Sequence, residues 1–164
     1  MQIVVKDLAF GRINMSIEKD IQQQTFRNSY QKATVNIIFS ANWLTEQIKI
    51  FLDEEHITPQ QYNILRILRG SMKPLSTLQI RERMLDKMSD TSRIVDRLVL
   101  KELVEKKLST ADKRLVDINI TNKGLELLNR LDQKNEHLDA IVKNLSNDEV
   151  LMLNTLLDKM REKI

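Results

Sequence analysis

Residues 16–51 contain neither glycine nor proline, and along them Tyr30, Thr34, Ile37, Ala41, Leu44, Ile48 and Phe51 recur at alternating steps of four and three. That spacing lays these side chains along one stripe of a helix. At about 1.5 Å per residue an unbroken helix of this length would reach about 50 Å, more than a compact domain of this size covers alone. Either the helix kinks near Thr25 to Asn28, or a second chain covers part of it. An amphipathic core helix and a dimerisation helix both satisfy the pattern.

The same shortage of helix breakers runs through the whole chain, which has 3 glycines, 2 prolines and 4% aromatic residues in 164. Helix is favoured and an all-β fold is excluded, because turns and strands draw on those residues. The length suits one domain with a sizeable core. With 0 cysteines, disulfides, thiolate catalysis and cysteine metal sites are all absent. No apolar run approaches the roughly 18 residues that span a bilayer, and the opening residues lack signal-peptide order, so a cytoplasmic location is expected.

Capping signals mark the helix starts. Thr58-Pro59-Gln60-Gln61, Ser76-Thr77-Leu78-Gln79 and Ser146-Asn147-Asp148-Glu149 each place a hydroxyl three residues before a glutamine or glutamate, predicting helices that begin near 59, 77 and 147. The first is expected to end at Gly70, with residues 72–75 extended before and after Pro74. Ser89-Asp90 caps a helix with Thr91, Ile94, Val95 and Leu98 on one face and Arg93, Asp96, Arg97 and Leu100 on the other. A hairpin comes next, Val104 to Ser109 against Leu115 to Ile120, with Val116, Ile118 and Ile120 expected inward. Thr121 then caps a final Leu-rich pair of helices over about 122–143 and 147–163.

In order, residues 59–120 read as helix, short extended piece, helix, tight turn at Leu85 to Met88, helix and two-stranded hairpin. This is a winged helix-turn-helix layout. Arg93 and Arg97 lie one turn apart on the open face of the third helix, able to reach phosphates and guanine edges in a major groove. Lys106, Lys107, Lys113 and Arg114 make the hairpin a basic prong beside it. Net charge is only +3, but the basic excess is centred here: residues 75–123 carry 11 basic and 8 acidic groups, residues 124–164 carry 6 and 8.

The stretch from Asp90 to Lys107 resembles the recognition helix and first wing strand of the MarR family of winged-helix transcription regulators. Asp112-Lys113-Arg114 is similar to that family's Asp-x-Arg wing signature, and Ile120-Thr121-Asn122-Lys123-Gly124 to the junction after the second wing strand. The resemblance covers roughly residues 30–164. It implies a mainly α, single domain over 1–164, with a winged-helix DNA-binding lobe at 58–121 and a helical dimerisation region at 16–56 and 122–164. The chain departs from the family's usual glycine at Glu102, so that helix needs another termination, and at Ser109-Thr110-Ala111 in the wing turn.

Carried over to this chain, the resemblance places Ser89, Thr91, Ser92, Arg93 and Arg97 at or near the major groove, sends Arg114 into the adjacent minor groove and has Asp112 brace the wing. A lone arginine on a narrow prong also suits the negative potential of an A·T-rich minor groove. Ion pairing of Arg93 and Arg97 with Asp90 or Asp96 is the competing reading for the recognition helix. Phe39, Trp43 and Tyr62 are expected to line a cleft for a small aromatic or lipophilic effector, against the plainer reading of core packing.

The resulting expectation is a homodimeric, sequence-specific regulator of double-stranded DNA, a repressor on a pseudo-palindromic operator, released by a small molecule. No cofactor, metal or membrane partner is expected. The alternatives are a helical protein-interaction module that keeps this scaffold without binding DNA, or a metal-responsive sensor using Asp53-Glu54-Glu55-His56 and the neighbourhood of His137. Isolated glycines and the lack of a nucleophile-base pair argue against an enzyme.

Overall fold

The computed structural model describes residues 16–71, 73–108 and 116–162. In chain order its elements are α1 (Ile17–Asp20), α2 (Ser29–Asp53), α3 (Pro59–Ser71), α4 (Thr77–Arg83), α5 (Thr91–Leu100), β1 (Val104–Leu108), β2 (Val116–Ile120), α6 (Asn122–Asp132), α7 (Asn135–Ala140) and α8 (Asn147–Arg161). The chain divides into two compact units, residues 1–43 and 44–164, and α2 contributes to both.

In the first unit the long helix is interrupted. α1 is a single turn, Gln22 takes φ 53°, and α2 begins afresh at Ser29. Asn28 starts it: its Oδ1 accepts the Gln31 amide at 2.9 Å, while Gln31 Oε1 accepts the Arg27 amide at 2.6 Å. The kink falls where the sequence allowed one, and a capping side chain rather than a glycine or proline makes it. Glu18 pairs with Lys32 at 2.5 Å, holding the turn of α1 to α2. Much of the expected apolar stripe is bare in a single chain, with Tyr30 83% exposed and Ile37 also open.

The second unit carries the main core. Leu52 at the end of α2 is fully buried with Ile64, Leu65 and Leu68 of α3, Ile80 of α4, Val95 and Leu98 of α5, Ile118 of β2, and Leu127, Leu128 and Leu131 of α6. Leu128 and Leu131, within the 122–164 stretch expected to serve a dimer, are therefore spent inside the chain. The caps form as the sequence signalled. Ser76 and Ser146 make reciprocal boxes with Gln79 and Glu149, Thr58 does the same with Gln61, and Thr121 Oγ1 accepts the Gly124 amide at 3.1 Å.

Several expectations are corrected. Gly70 does not stop α3, which continues to Ser71; Gly70 has no positive φ, and the Ser71 hydroxyl donates to the Leu68 carbonyl at 3.0 Å. The strands pair antiparallel, Val104 with Ile120 through Leu108 with Val116, but only Ile118 is fully inward; Val116, at the open end of the ladder, is 40% exposed. Leu75 adds an isolated bridge to Ile118. The helix expected over 122–143 is divided at Gln133 and Lys134 into α6 and α7.

The termination of α5 rests on Glu102. Its backbone adopts φ 59°, the left-handed conformation, with its amide donating to the Val99 carbonyl at 2.8 Å and the Leu103 amide to the Leu98 carbonyl at 3.0 Å. This pair of bonds is the Schellman termination that normally uses glycine. Gly124, by contrast, cannot be replaced freely. A Cβ there would lie 2.3 Å from the Leu103 carbonyl oxygen and 2.8 Å from Ile120 Cγ1, so its absence lets α6 close on the entry to β1.

Candidate nucleic-acid interface

The site is built on α4, the turn after it, and α5. Asp86 shapes the turn: its Oδ1 accepts the Met88 amide at 3.0 Å and its carbonyl accepts the Ser89 hydroxyl at 2.8 Å. Leu85 is anchored from α3, its amide donating to Asn63 Oδ1 at 2.9 Å. Asp90 caps α5 by accepting the Arg93 amide at 3.1 Å. The rest of α5 is set by its pattern. Val95 and Leu98 dock it on the core, so Ser92, Arg93, Asp96, Arg97 and Leu100 face outward.

Among the described residues, no carboxylate lies within ion-pair distance of Arg93 or Arg97. Asp90 is engaged as the cap and Asp96 with Lys106 Nζ at 2.5 Å, so the two acids that competed for these arginines on sequence grounds are occupied elsewhere. Two guanidiniums thus stand open on one helical face with their charge uncompensated. A duplex could satisfy them through phosphates or base edges.

Other expected contacts are disposed differently. Thr91 is corrected: it is 3% exposed, on the docking side of α5, and its Oγ1 has no hydrogen-bond partner in the structure, so it does not face a groove. Ser89 is half-buried and its hydroxyl holds the turn. Ser92 is exposed. Lys106 and Lys107 are exposed on β1 but paired, Lys106 with Asp96 and Lys107 with Glu105, each at 2.5 Å. Asp112, Lys113 and Arg114 lie outside the described residues.

One part of the surface escaped the sequence reading. Thr77, Leu78 and Arg81 of α4 join Met88, Ser89 and Ser92 around a cleft of about 430 Å³ beside the start of α5. Leu78 and Met88 are strongly exposed there. The only signal was the capping box at Ser76, which sets the phase of α4 and so the direction of Leu78 and Arg81.

The residues expected to hold an effector do not share one cavity. Phe39 and Trp43 line a space of about 420 Å³ in the first unit with Ile17, Glu18, Lys32 and Asn36. Tyr62 does not line it; its hydroxyl accepts from Arg66 Nη1 at 3.1 Å, with that guanidinium 5.7 Å from the ring centroid. Of the acids considered for metal, Glu54 binds Lys134 at 2.6 Å and Glu55 binds Arg130 at 2.7 Å, contacts that hold both carboxyls below their ordinary pKa. Among the described residues, no group of three or more His, Asp or Glu side chains is placed to hold a metal ion.

Comparison with known proteins gives a consistent set of likenesses. Residues 57–116 match the sequence model described as the MarR family. The HTH-type transcriptional regulator MhqR of Bacillus subtilis (strain 168) is 29% identical over 121 residues, covering 71% of this chain and 81% of MhqR. Wild-type MarR of E. coli in its apo form aligns at 25% identity with TM-score 0.63, over 77% of this chain and 94% of that one. Two further structures are likenesses of fold. A mutant E. coli MarR complexed with operator DNA has TM-score 0.73 at 22% identity, over 90% of this chain and 100% of that one. Bordetella bronchiseptica BpsR, whose DNA binding is regulated by 6-hydroxynicotinic acid, has TM-score 0.74 at 18% identity, over 85% and 99%.

Proposed function

We propose that the chain is a MarR-family winged-helix transcription regulator that works as a homodimer, reads a pseudo-palindromic operator in double-stranded DNA and represses from it. The observation that carries this reading is the open face of α5, where Arg93 and Arg97 stand one turn apart without acidic partners among the described residues. Residues 58–121 form the DNA-binding lobe in this reading, and 16–56 with 122–164 the dimerisation region. Support for assembly comes from α8, which buries none of its residues within one chain and leaves Leu151, Leu153 and Leu156 exposed. A Leu-rich amphipathic helix with an uncovered face is stabilised by a partner, here a second copy related by a two-fold axis that buries over about 2,000 Å².

Symmetry then sets the target: half-site centres about 10 bp apart, one recognition helix in each major groove. Selection from random duplexes should return such an inverted repeat. On the selected site, Arg97→Ala should cost about 1 to 3 kcal/mol per base contact and relax preference at one position in each half-site. Arg114→Ala should weaken binding to many sequences, remove a preference for A·T-rich flanks and flatten the salt dependence by about one charge per wing. Unchanged affinity and salt slope in both variants would leave the fold intact and favour a protein-interaction role on the same scaffold.

Release by a small aromatic or lipophilic effector completes the proposal. Phe39 and Trp43 beside a cavity of about 420 Å³ support it, and a ligand there must bind DNA-competent and DNA-incompetent dimers differently to act. Trp43 fluorescence is the direct readout. A compound that releases DNA without altering that emission places the effector elsewhere.

A further inference from the structure

The cleft of about 430 Å³ beside the start of α5 has an apolar component that the arginine face of that helix does not explain. Leu78 lines it from the first turn of α4 and Met88 from the turn before α5, and they are 63% and 94% exposed. Single apolar side chains on a surface are ordinary. Here two of them, from different segments, line one opening, and neither belongs to the core. Leu85, in the same turn as Met88, is 87% exposed and does not line the cleft, so exposure in this turn does not by itself place a side chain there.

The polar surroundings point to the occupant. Arg81 lies on the wall, and among the described residues no carboxylate is within ion-pair distance of it. Asp90, also in the lining, is committed to the Arg93 amide as the cap of α5. Ser92 belongs both to the cleft and to the outward face that carries Arg93 and Arg97, so the two surfaces are continuous. A polyanion answers these cations, whereas an apolar helix or a lipid chain would leave Arg81 unanswered. Duplex DNA is such a polyanion, and its major groove presents one apolar group, the C5-methyl of thymine. In a helix-turn-helix the first residues of the second helix reach base edges, and Met88 and Ser92 flank that end of α5.

We propose that Leu78 and Met88 form a slot for the C5-methyl group of a thymine, so that each operator half-site carries a thymine facing the start of α5. The slot rests on the operator-reading role proposed above and adds a base identity that the arginines do not supply. A guanidinium hydrogen-bonds guanine edges and phosphates and has no preference for a methyl group. Leucine gives the slot a fixed wall, and the flexible thioether of methionine closes around what enters.

The test is a fluorescence polarisation titration of the full chain on the duplex returned by selection from random DNA, and on copies in which each thymine of a half-site is replaced in turn by deoxyuridine. That exchange removes the methyl and keeps every hydrogen-bonding group. One position in each half-site should respond, with affinity falling about fourfold when one half-site is changed and about fifteenfold when both are, the loss expected for one buried carbon per half-site. In Leu78→Ala and Met88→Ala the thymine and deoxyuridine duplexes should bind within about a factor of two of each other, whereas Leu85→Ala should keep the full discrimination. All three side chains are exposed, so truncating them leaves the core unaltered. Indifference of the unaltered protein to deoxyuridine at every position, or selected half-sites without thymine, would overturn the slot and leave operator reading intact. Discrimination that survives in both cleft variants, or is lost in Leu85→Ala, would do the same. Selection that returns no preferred duplex would overturn operator reading itself, and the slot with it.

Discussion

Glu102 occupies a position that the helix end reserves for a residue without a Cβ, and it does so with φ 59° and both Schellman hydrogen bonds in place. The geometry of the stop is thus set by the next two residues, since Leu103 and Val104 are buried and pull the chain round. Glu102→Gly removes the left-handed penalty and forgoes only an exposed ion pair with Lys123, so Tm should rise by about 2 to 4 °C in a calorimetric scan. A fall in Tm would mean that the Lys123 contact matters more than the backbone strain. Gly124 is the opposite case. Its missing Cβ is required by a backbone oxygen 2.3 Å from where that atom would be, and a carbonyl cannot step aside as a side chain can. Gly124→Ala should lower stability by about 2 kcal/mol in denaturant unfolding, by forcing apart α6 and the start of β1.

Among the elements, α5 and β1 are coupled through Asp96 and Lys106, 2.5 Å apart. Both side chains are more than a third exposed, so solvent screens the pair and its removal changes stability little. Its effect on binding is larger. In the proposed DNA-binding role, an acid on the outward face of α5 holds a wing lysine that could otherwise meet a phosphate, and Asp96→Ala frees that lysine. The dependence of binding on salt should then steepen by about one charge per chain, most visibly on non-specific DNA, while thermal stability stays nearly constant. An unaltered salt slope would show that Lys106 stays away from phosphate whether or not Asp96 holds it. The two faces of α5 were legible from its spacing, yet this pairing was not, because it joins residues whose separation in space depends on the packing of strand against helix.

At the scale of the whole molecule, carboxylates tie distant segments together and make stability depend on acid. Asp132 of α6 accepts both arms of Arg69 of α3, at 2.5 and 3.2 Å, and this contact with Arg69 is the chief reason its carboxyl lies below the ordinary range. Glu55 is lowered in the same way, first by its hydrogen bond to Arg130. Depressed carboxyls mean that the unfolded chain binds more protons than the folded one as pH falls through the ordinary carboxylate range. Their contribution is present at neutral pH and is lost progressively below about pH 4. Asp132→Asn should cost about 1 kcal/mol at pH 7, after allowance for its partial exposure, and flatten the decline of stability between about pH 5 and 3. Parallel curves for the variant and the parent would assign the acid sensitivity to other carboxylates.

Local features were legible from the residues alone: the caps at Thr58, Ser76, Asp90, Thr121 and Ser146, the two faces of α5, and a hairpin pairing Val104 with Ile120. Each depends on residues a few positions apart or on one periodic face, so the information lies within a short window. Gly70 inside α3, Thr91 turned to the core, Val116 left open and the division of α6 from α7 could not be seen that way. For Thr91 the helical phase already placed it on the docking face, but the family motif pointed to the groove, and packing decided between them. The partner of Lys106, the lack of an acid beside Arg93 and Arg97 among the described residues, and the strained turns at His56 and Glu102 were likewise decided by tertiary structure. Such features depend on which groups from distant segments are brought together and on whether burial there repays strain or desolvation, and neither quantity exists until the core has closed.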